Sequence, residues 1–368
     1  MPKIAGKTIA QRQLLFAREA GCEKVIAHGN GARPEAIDLR HAAEGAGMKF
    51  QIVSSSHALS GIIADDDSLL VLQPGLLPES RSALDLLRAE GDRVLVVSAG
   101  PGANAGFERI DLDRAWAGVL SLPGQWLADL ASLPDDAAPH AALLRIALQH
   151  RLPEARLADK VLDEGRWYIV SSHEAARKRA VDWQRLHLGD VSEGRVSRWL
   201  GRAAVIGLGT RIGDTARART ALLAVAGLLM GIGVALGFYE RPILGFALVA
   251  LGVPVLEAFL ALSRLAVAPF GRIKRLPWIR WVADAALLAL GIMAIDSLLY
   301  RSIYPPLVLA SSLLLLDRRN LPAWLEPLRD RMLIAIFVAV VAAVATPEIA
   351  LMLAGLLVLA ANIAVPRS

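Results

Sequence analysis

Three carboxylic acids stand inside long apolar runs of the sequence: Glu257, Asp284 and Asp296. Ionisable side chains are costly at membrane depth, and there they usually mark function. Glu257 and Asp284 flank a basic stretch, residues 264–280, so they could meet at one depth if their runs form adjacent antiparallel helices. Paired carboxylates beside cationic side chains suit a divalent metal and a diphosphate substrate. The alternative is that each acid reaches the membrane surface or pairs with a loop arginine.

These residue types define a candidate site. We expect Glu257 and Asp284 to be its catalytic acids and to bind a metal ion, with Mg²⁺ as the cofactor. Asp296 lies near the opposite end of its run, where we expect a rim residue. The diphosphate of a substrate would be held by basic residues after the first acid: Arg264, Arg272, Lys274 and Arg275.

The C-terminal half of the chain has the composition of a membrane domain. Hydrophobic residues make up 55% of the whole sequence and its mean hydropathy is +0.45, which is too apolar for an ordinary soluble enzyme. Connections rich in arginine and lysine alternate with connections that have few, as basic cytoplasmic loops predict. We therefore predict six spans in a bacterial inner membrane, with both termini in the cytoplasm. The six apolar runs, most of them near the ~20 residues that a bilayer requires, cover 221–239, 242–262, 281–300, 302–316, 332–346 and 349–365.

Charge and cysteine content narrow the class further. The net charge of +5 comes largely from arginines beside the apolar runs, so we attribute it to membrane lipids and not to nucleic acid. The single cysteine, Cys22, excludes an internal disulfide and fits a reducing cytoplasm.

A short amphipathic segment precedes the first apolar run. Its apolar residues recur at helical spacing, and three arginines flank that face. A helix of this kind can lie at the membrane surface with its guanidinium groups near lipid phosphates. The alternative is a plain linker helix in water. The predicted interface residues are Arg195, Arg198, Trp199 and Arg202, and the apolar face consists of Val196, Trp199, Leu200, Ala203 and Gly207.

The N-terminal half alternates helical and strand patterns, which predicts an α/β fold with a sheet covered on both faces. Two glycine-rich segments, 28–35 and 98–106, invite a phosphate-binding interpretation, but the first lacks a P-loop lysine and the second precedes a strand pattern. Acidic clusters at 65–67 and 111–113 could hold a metal with a nucleotide, but we favour solvated turns. Helices are predicted at 9–21, 34–47, 79–91, 124–133, 140–150 and 173–187. Strands are predicted at 23–29, 49–55, 68–74, 93–100, 107–113 and 166–172.

The segment "DVSEGRVSRWLGR", a basic linker and six spans together resemble the class-I CDP-alcohol phosphotransferases. That family carries the motif D-x-x-D-G-x-x-A-R and then G-x-x-x-D-x-x-x-D at the cytoplasmic ends of its second and third spans, where this chain has "VLEAFLALSRLAVAPFGRIKRLPWIRWVADAALL". Glu257 stands in place of the first acid, Arg264 lies one residue before the place of the arginine, and Asp284 stands in place of one of the later acids. Leu260 and Leu288 stand where the family has further acids. The resemblance implies metal-dependent displacement of CMP from a CDP-alcohol.

The N-terminal half resembles the sugar-phosphate nucleotidyltransferases. "PKIAGKTIAQRQLLFAREAGCEKVIAHG" is similar to the stretch after their glycine-rich loop, with Lys3 at the motif lysine, and "DDDSLLVLQPGLLPE" is similar to their D-x-x-L-V-L-x-G-D-x-L-P segment. Gln73, Pro74 and Gly75 replace the metal-binding G-D pair. Fusions of these two domains, which make and then consume CDP-inositol, imply one architecture for nearly the whole chain.

Three functions follow as hypotheses. The first is a degenerate, non-catalytic or weakly active scaffold or partner in membrane phospholipid metabolism. The second is an active membrane transferase that moves a phospho-alcohol from a CDP-alcohol to a lipid or polyol acceptor. The third is a six-span protein with a cytoplasmic sensor domain. In each, residues 1–186 form the α/β domain, 187–219 the interfacial helix and linker, and 220–368 the membrane domain. The resemblance implies a homodimer, or a heterodimer with a related phosphotransferase.

Overall fold

The computed structural model describes residues 3–89, 91–132, 138–189, 195–208, 215–271, 279 and 281–364. The chain divides into two compact units, Met1–Trp183 and Gln184–Ser368. The first is an α/β unit and the second is helical.

The α/β unit alternates strands and helices over most of its length. Its strands are β1 (Lys3–Ile4), β2 (Lys7–Thr8), β3 (Lys24–His28), β4 (Lys49–Val53), β5 (Ser68–Leu72), β6 (Leu76–Pro78), β7 (Val94–Ser98), β8 (Arg114–Pro123), β9 (Glu154–Arg156) and β10 (Trp167–Ile169). Its helices are α1 (Ile9–Ala20), α2 (Pro34–Gly45), α3 (Arg81–Arg88), α4 (Ala99–Asn104), α5 (Pro139–Gln149), α6 (Lys160–Asp163) and α7 (His173–Leu188), the last of which continues past the boundary. Short 3₁₀ helices cover His57–Leu59 and Gly124–Ser132.

The strands form four small sheets in place of the single sheet that the alternation predicts. The largest has the order β5-β8-β7-β9, in which β8 is antiparallel to both neighbours and β7 is parallel to β9. Strands β3 and β4 form a parallel pair around α2, while β1 with β2 and β6 with β10 are antiparallel pairs. The α/β character is thus confirmed at the level of secondary structure.

The predicted strand at 107–113 is wrong. The strand instead begins at Arg114 and runs to Pro123. Asp111 Oδ1 accepts hydrogen bonds from the backbone N–H groups of Asp113 and Arg114, at 2.9 and 2.8 Å, which folds the acidic cluster into a turn. The second glycine-rich segment also differs from expectation, because α4 lies within it.

The helical unit contains α8 (Val196–Leu208), α9 (Thr215–Phe238), α10 (Pro242–Val267), α11 (Trp281–Met293), α12 (Leu299–Leu316), α13 (Arg331–Val344) and α14 (Pro347–Ala364), with a 3₁₀ turn at Glu326–Arg329. In the described residues, four stretches are long and apolar enough to cross a membrane: Ala216–Phe238, Pro242–Val267, Leu299–Leu316 and Pro347–Ala364. Helices α11 and α13 are apolar but shorter. These four helices indicate a multi-pass membrane protein, and six spans remain a prediction.

Glycines bring the backbones of neighbouring apolar helices close together. A Cβ atom on Gly245 of α10 would lie 2.6 Å from the carbonyl oxygen of Gly233 on α9, and a Cβ on Gly233 would lie 2.9 Å from that of Gly245. Small residues at helix contacts are typical of membrane bundles, where packing replaces the hydrophobic effect as the force between helices. Large apolar side chains remain on the outer surfaces, among them Leu228, Leu251, Leu315, Val340 and Leu356.

Candidate functional site

The two predicted catalytic acids lie on contacting helices. Glu257 is in the second half of α10 and is buried. Asp284 lies in the first turn of α11, and α10 contacts α11. An acid in the first turn of a helix is favoured by the helix dipole, so this position stabilises the Asp284 carboxylate before any side chain approaches it.

The Asp284 carboxylate is bound by an arginine of a third helix. Arg331 is the first residue of α13, and its Nε donates to Asp284 Oδ1 at 2.7 Å while its Nη2 donates to Oδ2 at 3.2 Å. Both side chains are largely buried. In the described part of the chain, Asp284 is therefore paired with Arg331, and the predicted convergence of Glu257 on the same site stays a prediction.

The contacts continue beyond Arg331 to form an arginine–aspartate network of four residues, Asp284, Arg331, Asp317 and Arg195. Arg331 also donates to Asp317, from Nη1 at 3.1 Å and from Nη2 at 2.7 Å. Asp317 follows α12 directly, and its Oδ1 accepts a 2.8 Å hydrogen bond from Arg195 Nη2. Two positive and two negative side chains thus alternate from the start of α8 to the start of α11.

A second carboxylate joins α8 to α13 through the backbone. Asp330 is fully buried; its Oδ2 accepts from the N–H of Ser197 at 2.7 Å, and its Oδ1 accepts from the N–H of Met332 at 3.0 Å. The first N–H groups of a helix have no partner inside that helix. One side chain therefore caps the beginnings of two helices.

Helix α8 lies against α10 with its narrow, small-residue side. A Cβ on Gly201 would lie 2.6 Å from the backbone N of Ala258, 2.8 Å from the carbonyl C of Glu257 and 2.9 Å from the carbonyl O of Pro254. The buried residues of α8 are Ser197, Gly201, Arg202 and Val205. The apolar face predicted for the membrane surface points away from the protein, with Val196, Trp199 and Leu200 exposed.

The predicted interface arginines lie closer to protein groups than the sequence suggests. Arg195 is paired with Asp317, Arg202 is only 8% exposed, and Arg198 is half-buried. Trp199, in contrast, is 48% exposed on the apolar face. The arginines are more buried than Trp199 because they flank the small-residue side of α8, and that side packs on the bundle.

Of the predicted phosphate-binding residues, the structure places one. Arg264 is half-buried in the last turn of α10. Arg272, Lys274 and Arg275 lie outside the described residues. Among the residues that are described, no three His, Cys, Asp or Glu side chains form a group that could hold a metal. Any cation that the predicted Mg²⁺ ligands, Glu257 and Asp284, were to bind has to compete at Asp284 with Arg331.

Sequence reasoning missed Asp317, Asp330 and Arg331. Each stands at the edge of an apolar run, in "LLLLDRR" and "LRDRML", where an ion looks like an ordinary loop charge. An acid and a base on the two sides of one predicted loop are the signal that could have drawn attention to them.

The α/β unit has its own buried ion pair. Arg12 of α1 lies 3.5 Å from Glu79, donates to the carbonyl of Ile4 at 2.7 Å, and stacks on the Trp183 ring at 3.9 Å. Burial lowers the pKa of nearby Lys7 to about 8, and the positive charges of Arg12 and Arg18 add to that effect.

The two segments that resemble nucleotidyltransferases in sequence contact each other where α1 packs on β6. Lys3, at the motif lysine, begins β1, and Gln73 lies between β5 and β6. The side chain of Gln13 on α1 donates to the carbonyls of Gln73 and Leu76, at 2.7 and 3.0 Å, so the segment that replaces the G-D pair is hydrogen-bonded to the first helix. The acidic residue Asp67 accepts from the N–H of Ala64, which agrees with the turn predicted there.

Comparison with known proteins adds no relative. No protein-family model matches the chain, and no curated protein is significantly similar to it.

Proposed function

We propose that this protein is a non-catalytic, membrane-embedded scaffold or partner protein in phospholipid metabolism, built like a CDP-alcohol phosphotransferase whose metal site has been replaced by ion pairs. The sequence resemblance of residues 190–288 suggests this family, and the four long apolar helices support a location in the membrane. Whether the acidic positions can still bind a metal ion distinguishes a scaffold from an enzyme.

The observation that supports a scaffold is the contact between Arg331 and Asp284. A family enzyme needs this carboxylate to face a metal ion, whereas here both of its oxygens accept hydrogen bonds from one guanidinium. Removing one partner of a buried ion pair costs about 3–5 kcal/mol. A metal ion would have to repay a cost of that size before it could bind Asp284.

The substituted positions point the same way. Leu260 and Leu288 supply no ligand where the family has acids, and Gln73 and Pro74 stand at the G-D pair of the N-terminal resemblance. Loss of ligands in both halves favours a protein whose fold is retained for contacts with other molecules. We propose membrane lipids and a related, intact phosphotransferase as those partners.

The test is turnover by the full-length protein in lipid nanodiscs. With Mg²⁺ and a panel of radiolabelled CDP-alcohols, we expect no CMP release above a protein-free control, while an intact phosphotransferase in the same nanodiscs releases CMP. Release that disappears in both Glu257→Ala and Asp284→Ala would overturn the proposal and establish the transferase.

The partner role is tested by co-expression with an intact phosphotransferase of the same membrane. We expect the two proteins to co-purify and an unrelated six-span protein to be absent. Failure to co-purify in nanodiscs and in mild detergent would count against the partner role.

A further inference from the structure

We infer that the arginine–aspartate network couples the docking of helix α8 to the carboxylate of Asp284. A change at the start of α11 then alters how firmly α8 is bound to the bundle, and a change at α8 alters the start of α11, through the intervening residues Asp317 and Arg331. This inference does not rest on the proposed function. It concerns a conformational link, which would serve a scaffold and an enzyme alike.

The first step is how α8 is held. Its beginning is fixed by two acids, Asp330 through the N–H of Ser197 and Asp317 through the side chain of Arg195. Gly201, one turn further, lies against the backbone of α10. These polar contacts therefore fix the start of α8, while packing on α10 holds the helix further along.

The second step is that several arginines act on Asp317. It accepts from Arg195, just before α8, and, on both oxygens, from Arg331 of α13, and the charge of Arg329 also acts on it. Arg331 in turn divides its donors between Asp317 and Asp284. Each residue in the middle of the network is therefore shared, and a change at one end alters the charge felt at the other.

The sign of the coupling follows from the charge balance. In the native network, Asp284 shares the donors of Arg331 with Asp317. Neutralising Asp284 leaves the charge of Arg331 on Asp317, on which the charges of Arg195 and Arg329 also act, so the repulsion among these arginines is less compensated. Buried pairs are weakly screened, so Arg195 should detach more readily and α8 should open more often. Coupling between sites is reciprocal, so loss of Arg195 should in turn expose the start of α11.

Thiol labelling of the native protein measures this opening. The chain has one cysteine, Cys22, so Cys22→Ser gives a cysteine-free background for single reporters. Val205→Cys places a thiol at a buried position of α8, and Ala354→Cys places one in the buried face of α14. Asp284→Asn is compared with Asp296→Asn, which removes an exposed carboxylate beyond the other end of α11.

We expect Asp284→Asn to raise the labelling rate at position 205 about twofold or more, since residues in one ion-pair network are usually coupled to at least this extent. Asp296→Asn should leave that rate unchanged, and the thiol at position 354 should label at one rate in all variants. Equal rates at position 205 in Asp284→Asn and Asp296→Asn would overturn the inference. A parallel rise at position 354 would also overturn it, because the effect would then be general loosening.

If Asp284→Asn fails to fold, the reciprocal measurement decides. Arg195→Gln should raise labelling of a thiol at Ala283, a buried residue of α11 beside Asp284. An unchanged rate there would refute the coupling.

Discussion

Substitution of Gly201 by alanine is expected to separate α8 from the bundle. The added methyl group would lie 2.6–2.9 Å from three backbone atoms of α10, at Pro254, Glu257 and Ala258. Backbone atoms of a packed helix cannot turn aside as a flexible side chain can, so α8 itself has to move. Overpacking of this kind costs typically about 1–3 kcal/mol.

The steric cost of Gly201→Ala is partly offset by the higher helix propensity of alanine, and a second glycine of α8 allows this gain to be measured separately. Glycine in a helix interior is less favourable than alanine by about 1 kcal/mol, so every Gly→Ala change begins with a gain. Gly207 lies on α8 too, and a Cβ there would meet nothing within 4 Å. Gly207→Ala therefore measures only the gain in helix propensity. That gain is at most about 1 kcal/mol, because Gly207 is close to the helix end. The difference between the two variants isolates the steric cost, about 1–3 kcal/mol.

The assay compares the two variants in the full chain in nanodiscs. Labelling of a thiol at Val205, in the Cys22→Ser background, should be faster in Gly201→Ala than in the parent by about fivefold, which corresponds to about 1 kcal/mol, the middle of the steric range less the gain from alanine. Gly207→Ala should label at the parent rate or more slowly. If Gly201→Ala labels no faster than Gly207→Ala, then α8 does not lie against the α10 backbone and the packing argued above is wrong.

Three further outcomes are expected. Asp330→Ala should lower the stability of the helical unit by about 2 kcal/mol, roughly 1 for each of the two helix caps it removes, measured by thermal unfolding beside Asp330→Asn, which keeps one acceptor oxygen. Lys7 should titrate with a pKa of about 8 in NMR spectra of ¹³C-methylated lysines. Since its pKa is lowered on folding, stability should rise between about pH 8 and the usual 10.5, and Lys7→Met should abolish that rise. Asn362→Leu should change stability by less than about 1 kcal/mol. Its amide donates to the Ser312 carbonyl at 2.9 Å, a type of bond worth about 0.6 kcal/mol between membrane helices, but its Oδ1 is buried without a partner among the described residues.

Local sequence signals predicted the elements that local interactions determine. Helix α1 begins where Thr8 and Gln11 form a reciprocal capping box and ends at Gly21, whose φ of +98° suits glycine. The signals needed for this prediction lie within a few residues of each helix end. Most helices of the α/β unit were placed correctly for the same reason.

Strand β8 was missed because it is buried on both faces. Its interior residues, Ala115–Leu122, are all buried, so the sequence there does not alternate between apolar and polar residues. The segment from Phe107 to Asp113 does alternate, and it imitates a half-exposed strand although it forms a turn. Gly118, with φ of +81°, further weakens the strand pattern. Alternation of apolar and polar residues identifies strands with one face exposed to water, whereas both faces of β8 are buried.

The ion pairs of the candidate site could not be predicted for a different reason. Asp284 and Arg331 are 47 residues apart, and they meet only because the starts of α11 and α13 lie side by side. The sequence identified an acid in an apolar run but contained no local signal for its partner. The partner comes from a helix that follows much later in the chain, and only the tertiary arrangement brings it to Asp284.

Helix α8 packs on the bundle with its small and polar residues and has its large apolar side chains exposed. Its periodicity was predicted correctly, yet the face that packs on the protein carries Ser197, Gly201 and Arg202, and the face that points outward carries Trp199 and Leu200. In water this arrangement would be unfavourable, because each large apolar side chain gains about 1.5–3 kcal/mol from full burial. At a membrane surface the balance reverses, since the outer face meets lipid and small residues allow the backbones to approach. The exposed leucines of α9 and α14 are oriented in the same way, so we still predict that the outer face of α8 meets lipid.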